Sequence, residues 1–188
     1  MTRGDNIKQE YFMDESYNTR FRREYLEGAI TLSNNLTWMN LTTLEISDNR
    51  IRPMGATVLS KNTSWTNLTT LDLRENNIGD EGETVLSKNT SWTNLTPLNL
   101  SKNRIWSEGA TGLSNNLAWT NLTTLNLSSN HIGDKGAITL SKNTSRTNLT
   151  ALHLSYNNIG DKGAVFHWNL SDNVHVCFFG VPIEIFPY

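Results

Sequence analysis

Leu68-Thr69-Thr70-Leu71-Asp72-Leu73-Arg74-Glu75-Asn76-Asn77-Ile78 sets four spaced apolar side chains into an otherwise polar run. The same spacing returns 27 residues later as Leu95, Leu98, Leu100 and Ile105, and again as Leu122, Leu125, Leu127 and Ile132. Leu41, Leu44, Ile46 and Ile51 come one interval earlier, and Leu149, Leu152, Leu154 and Ile159 close the series. Five copies of one skeleton in register form a repeat array, whose units stack because none can bury its apolar face alone.

Within a unit, Leu71 and Leu73 flank polar Asp72, the alternation of a short strand with one buried face. Asn76 ends that strand, and Asn49, Asn103, Asn130 and Asn157 take the same place in the other units. An amide side chain both donates and accepts, so the asparagines are expected to form a ladder that satisfies the turning backbone from unit to unit. The second half of each unit reads as a short helix. Asp80, Ser107, Asp134 and Asp161 stand where an N-cap belongs, and Asp80 with Glu83 has the spacing of a capping box. Leu59, Leu86, Leu113 and Leu140, preceded by Val58, Val85 or a counterpart, are the expected inward helix positions, with Ala137 nearby. Trp38, Trp65, Trp92 and Trp119 recur in the returning loop as expected core, and Arg146 stands in the fifth place. Parallel strands stack about 4.8 Å apart. Helices need about 8–10 Å, so the sheet must lie on the concave side.

The pattern Leu68-x-x-Leu71-x-Leu73-x-x-Asn76-x-Ile78-x-x-x-Gly82-x-x-x-Leu86 resembles the ribonuclease-inhibitor-like class of leucine-rich repeats. That class includes ribonuclease inhibitor, Ran GTPase-activating protein and the sensor regions of immune receptors. The resemblance implies an α/β fold, a right-handed leucine-rich-repeat solenoid or horseshoe with a parallel concave sheet and short convex helices. It also implies binding of another protein along the concave face and edge loops. The units are unusually alike: Leu59 to Thr69 and Leu86 to Thr96 both read LSKNTSWTNLT, the mark of tandem duplication with little divergence.

The repeats are expected over residues 28–165, behind an arm or aromatic capping helix at 1–27, where Tyr17, Phe21 and Tyr25 are spaced by four. Residues 166–188 are expected to form an edge strand or a degenerate last repeat. One further interval would put Val176, Phe179 and Val181 at the strand positions, with Pro182 and Pro187 discouraging further pairing.

Sixteen basic residues against 18 acidic ones give a net charge of -2, with no broad positive field for nucleic acid or an anionic membrane. No apolar run approaches a membrane span or the core of a signal peptide, so the expected location is cytoplasmic. Cys177 is the single cysteine and has no internal partner. Twelve Asn-x-Ser/Thr sequons occur, and duplication of a unit that contains them accounts for the number without selection for sugar.

Nothing requires a cofactor, a metal or an enzyme. His167, His175 and Cys177 match no zinc spacing. The alternative reading rests on Arg50 and Arg52 beside Pro53-Met54. That loop is unlike those of the other units, and in this reading an arginine there serves a small GTPase as a charge-stabilising finger.

Side chains between the buried strand residues must point outward. Glu45, Asp72, Asn99, Asn126 and His153 therefore form one row across the concave sheet, and Ser47, Arg74, Ser101, Ser128 and Ser155 a second. Asp48, Glu75, Lys102 and Tyr156 follow at the next position. The early units are acidic on this count, which fits a partner protein carrying a basic patch.

Overall fold

The computed structural model describes residues 5–8, 28–31, 34, 40–164, 174–177 and 182–183. Strands β1 (Asp5–Lys8), β2 (Leu41–Glu45), β3 (Thr70–Asp72), β4 (Pro97–Asn99), β5 (Thr124–Asn126), β6 (Ala151–His153), β7 (His175–Cys177) and β8 (Pro182–Ile183) form one sheet in chain order. Helices α1 (Arg52–Ser60), α2 (Gly79–Leu86), α3 (Ser107–Ser114), α4 (Gly133–Ser141) and α5 (Asp161–Ala164) lie between strands, and residues 28–31 form one more helical turn. Pairing is parallel from β1 to β7. This is an α/β leucine-rich-repeat solenoid.

The register is the one the leucine spacing demands: Leu44 pairs with Leu71, Leu71 with Leu98, Leu98 with Leu125 and Leu125 with Leu152. Strand leucines and the isoleucine after each asparagine join Leu59, Leu86, Leu113 and Leu140 in one continuous core. Each such side chain contributes about 1.5–3 kcal/mol on burial, which offsets the entropy of ordering its unit. Val58 and Val85 are only half-buried; the second inward helix position is instead the residue after the helix glycine, as in Ala56, Ala110 and Ala137. Adjacent helices touch through those glycines. A Cβ on Gly82 would lie 2.7 Å from Ile78 and 3.0 Å from both Ala56 and the Pro53 backbone.

The asparagine ladder forms as the sequence implies. Asn103 Oδ1 accepts from the backbone N–H groups of Asn76 (3.0 Å) and Ile78 (3.3 Å), and its amide donates to Leu73 and Ser101 carbonyls. Asn130 does the same for Asn103 and Ile105, and Asn76 for Asn49 and Ile51.

Three expectations need correction. The helix aspartates do not cap their own helices, and in α1 to α4 the N-cap residue itself makes no side-chain cap bond. Asp80 instead reaches across to the next unit, where its Oδ1 accepts from Trp106 N (2.7 Å) and Gly109 N (2.9 Å) at the start of α3. Asp134 serves Gly160 and Gly163 at the start of α5 in the same way. Glu83 consequently has no capping-box role and is buried.

At the C-terminal end, Val176 pairs with Leu152, a place that a 27-residue step would have given to Phe179. The last unit is therefore shorter than the others, while Phe179 and Val181 lie outside the described residues. Pairing also continues past β7, since Cys177 aligns antiparallel with Pro182. A proline lacks the N–H but keeps its carbonyl, which suffices at a terminal strand. Trp38 and the aromatic residues Tyr17, Phe21 and Tyr25 are likewise outside the described residues.

Candidate protein-binding surface

Backbone register brings the first row together. Glu45 aligns with Asp72, Asp72 with Asn99, Asn99 with Asn126, and Asn126 with His153, all half-buried on the outward side of consecutive strands. Three of these side chains are less free than their position implies. Asp72 Oδ1 accepts from Arg74 N at 2.9 Å, Asn99 Oδ1 from Ser101 N at 3.1 Å, and Asn126 Oδ1 from Ser128 N at 3.0 Å. A short side chain with an acceptor two residues before a turning N–H closes an Asx turn, so aspartate and asparagine here shape the strand end as well as the surface. Asn99 Nδ2 also donates to Asp72 Oδ2 at 3.2 Å.

Asp48, Glu75, Lys102, Ser129 and Tyr156 all sit in the left-handed region, with φ between 55° and 59°. A non-glycine residue there is strained, and the ladder asparagine that follows each one holds the turn in place. Glu75 does not present a free negative charge. Lys102 Nζ approaches its Oε2 at 3.1 Å and Arg74 Nη1 at 3.9 Å. Glu45, Asp48 and Asp72 are the other acidic side chains of these rows, while the other end carries Tyr156, 79 % exposed.

Arg50 and Arg52 leave the same turn, with φ of 47° and 62°. Asn77, Arg104 and Asn158 share the geometry of Arg50, and Gly79 and Gly133 that of Arg52. Met54 in the same loop is 66 % exposed.

The strand-to-helix turn takes two forms, left-handed at Arg52, Gly79 and Gly133 and not so at Trp106 and Gly160, whose N–H groups donate to Asp80 and Asp134. Gly79 and Gly133 have φ of +65° and +61° and donate to the carbonyls of Asn103 and Asn157. Trp106 occupies the equivalent place. Its φ of -102° is extended, its N–H turns to Asp80, and its ring projects outward at 54 % exposure. It stacks on exposed His131 at 4.6 Å between centroids and 27° between planes. Sequence periodicity passed over this residue because it occurs once.

The core holds two further exceptions. Trp65, Trp92 and Trp119 are buried and stacked, with centroids 6.3 and 6.5 Å apart, which makes them structural. Arg146 takes the next place in that row and is buried; its guanidinium donates from Nη2 to the Leu113 carbonyl, and burial lowers its pKa to about 10. Glu83 stands where neighbouring units have Ala56 and Ala110, fully buried, with neither carboxyl oxygen hydrogen-bonded among the described residues. Burial pushes its pKa up to about 8, against a pull downward from Arg146. Among the described residues no cluster of acidic, histidine or cysteine side chains can hold a metal ion. His175 is exposed and Cys177 half-buried on β7, while His167 lies outside the described residues.

A second asparagine ladder runs along the helix-to-strand return. Asn89 Oδ1 accepts from Ser91 N and Trp92 N, and its amide donates to the carbonyls of Ser60 and Asn62 in the preceding unit. Asn62, Asn116 and Asn143 repeat the role. Their 27-residue spacing was available in the sequence as the signal.

Stacked strand-and-helix units with one ordered outward face define a repeat scaffold built to present a surface. The family model described as Leucine Rich repeat matches residues 39–60, 66–86, 93–114, 120–141 and 146–166, more than half of the chain. The chain belongs to the leucine-rich-repeat family. Proteins of this family generally act as binding scaffolds for other proteins. No curated protein matches the chain, and no helix among the described residues is long and apolar enough to cross a membrane.

Proposed function

We propose that this chain is a protein–protein interaction module without catalysis of its own, and that its concave face is the binding surface. The observation that carries this reading is the registered row from Glu45 to His153, flanked by exposed Asp48 and Tyr156. Asp48 and Glu45, together with Asp72, favour a partner with a basic patch, because complementary charge steers encounter and disfavours wrong partners. The 27-residue unit with helices of 8–9 residues supports the ribonuclease-inhibitor-like subclass. We take residues 28–165 as the repeat module, flanked by ends at 1–27 and 166–188, and place it in the cytoplasm. Protein from the native host should then show no mass shift on glycosidase treatment.

The test is affinity capture from native cytosol with the wild type and with Glu45→Lys combined with Asp48→Lys. The double variant keeps the circular dichroism spectrum and loses the partner. A partner retained by both proteins at moderate salt excludes the acidic end as the site. The exposed Met54 beside Arg50 and Arg52 supports a second reading, regulation of a small GTPase, in which Arg52→Ala removes a stimulation of GTP hydrolysis. A GTPase panel showing no stimulation leaves only the binding module.

A further inference from the structure

Twice in the array an aspartate crosses to the start of the next helix. Asp80 accepts from Trp106 N at 2.7 Å and Gly109 N at 2.9 Å, and Asp134 from Gly160 N at 2.8 Å and Gly163 N at 3.1 Å. All four bonds fall on Oδ1, and neither Oδ2 has a hydrogen-bond partner among the described residues. The two places differ in what stands beside the carboxylate: an indole at the first, a bare glycine at the second.

The Trp106 ring is 54 % exposed, and one of its faces is covered. His131 comes from the following unit and stacks on it at 4.6 Å, so the opposite face is turned toward the preceding unit, which supplies Asp80. The residue at the same place in that unit is Gly79, and within 4 Å a Cβ on it would meet only Pro53 Cγ, at 3.9 Å. The space over Gly79 is open. A slot is thus bounded by an aromatic face, a glycine backbone and a carboxylate with an unused oxygen. Because His131 holds the ring in one orientation before a partner arrives, little freedom is lost on binding.

The charge beside this slot is negative. Two backbone N–H groups solvate Asp80 without cancelling its charge, and it forms no ion pair among the described residues. Neither Arg52, at the place of Gly79 one unit earlier, nor Arg104, two residues before the ring, pairs with it. Glu81, exposed in the first turn of α2, adds a second carboxylate. An aromatic face attracts a cation through its quadrupole, tryptophan most strongly, and a carboxylate within reach of the same cation adds direct attraction. An anionic occupant would meet Asp80 as a like charge.

We propose that the slot between Trp106 and Gly79 receives a lysine or arginine side chain of the partner protein, its cationic head lying on the indole face and bonded to Asp80 Oδ2. This rests on the protein-binding reading and gives the partner's basic patch a second, defined contact beyond Glu45 and Asp48. Ring and carboxylate act together, so Asp134 beside Gly160, with the carboxylate alone, is no such site.

The probe is a phage-displayed library of random dodecapeptides selected on the full chain, each enriched peptide then being titrated against the wild type and variants. Trp106→Gly copies the glycine beside Asp134, Asp80→Asn keeps the acceptor for both N–H groups and drops the charge, and Arg104→Asn copies Asn77. All three keep a cooperative thermal transition. The expected peptides carry a lysine or arginine and bind Trp106→Gly and Asp80→Asn at least about fivefold more weakly than the wild type. They bind Arg104→Asn as well or more tightly. Peptides that depend on Trp106 but not on Asp80, or that carry acidic residues in place of basic ones, would overturn the cation assignment. Basic peptides that fail only on Glu45→Lys combined with Asp48→Lys would uphold the protein-binding reading and overturn the slot. No enrichment would overturn the slot too, while capture from native cytosol judges the protein-binding reading separately.

Discussion

The two edges of the solenoid are built from the same repeat and behave differently. On the helix-to-strand return three polar positions recur from unit to unit, and their side chains are committed to the preceding unit. Asn89, Asn116 and Asn143 bond across units, Asn94, Asn121 and Asn148 donate to the carbonyls of Thr66, Thr93 and Thr120, and Thr69, Thr96, Thr123 and Thr150 donate to the carbonyls of Thr42, Thr69, Thr96 and Thr123. On the strand-to-helix side the units read Arg52-Pro53-Met54, Gly79-Asp80-Glu81, Trp106-Ser107-Glu108 and Gly133-Asp134-Lys135, and several of these side chains project into solvent. Likeness between units measures what the adjacent unit demands. Variation marks where the surface is free to specialise.

The contrast is broken most severely through the core beneath both edges. Leu98, 1 % exposed, pairs with Leu71 and Leu125, and Leu98→Asp forces a charge among leucines. The expected loss exceeds about 4 kcal/mol and the chain unfolds, seen as the disappearance of a cooperative thermal transition. Next comes the return edge itself. Asn116→Ala removes bonds to Ser87 O, Ala118 N and Trp119 N in a buried site and leaves those groups unpaired. A loss of about 2–4 kcal/mol in denaturant unfolding is expected.

Glu83→Ala sharpens the comparison from inside. A carboxyl whose pKa is held at about 8 in the folded chain, against an ordinary 4.5, binds its proton more tightly when folded. Its contribution to stability is complete below about pH 4.5 and is lost as pH rises to about 8, at most about 1.4 kcal/mol per pH unit. The variant should therefore be more stable at pH 8 and should flatten that slope, while equal melting points for both proteins at pH 8 would remove the buried carboxyl as a cost. Smallest is the surface effect: Glu45→Lys and Asp48→Lys each shift stability by less than about 0.5 kcal/mol. Asp72 differs from Glu45 and Asp48 because, like Asn99 and Asn126, it closes a turn. Asp72→Asn keeps the acceptor for Arg74 N, whereas Asp72→Lys loses it and should lower the melting point measurably.

How far these features could be read in advance follows the range of the interactions involved. The strand register was legible because the spacing Leu68, Leu71, Leu73 and Ile78 is itself a record of burial. The sheet-side asparagine ladder was legible for the same reason, each member recurring at a fixed interval. The aspartate caps were misplaced because Asp80 acts on a helix in the next unit, 26 and 29 residues away, and local capping rules look only three residues ahead. The outward row followed from strand alternation, but its use as a turn acceptor depends on the backbone beyond the strand. Glu83 and Arg146 stand apart because a single charged residue in a repeated position looks like ordinary divergence until its burial is seen. The shortened last unit left no periodic mark to read.

The direct test of the interaction-module account is site-specific photo-cross-linking in native cytosol, with a photoreactive phenylalanine placed in turn at Asp48, Trp106, Tyr156, Thr63 and Thr90. All five positions are exposed. The account predicts one discrete adduct from the first three positions, identified as the same partner, and none from Thr63 or Thr90 on the return side. An adduct from Thr63 or Thr90 with none from Asp48, Trp106 or Tyr156 would contradict it.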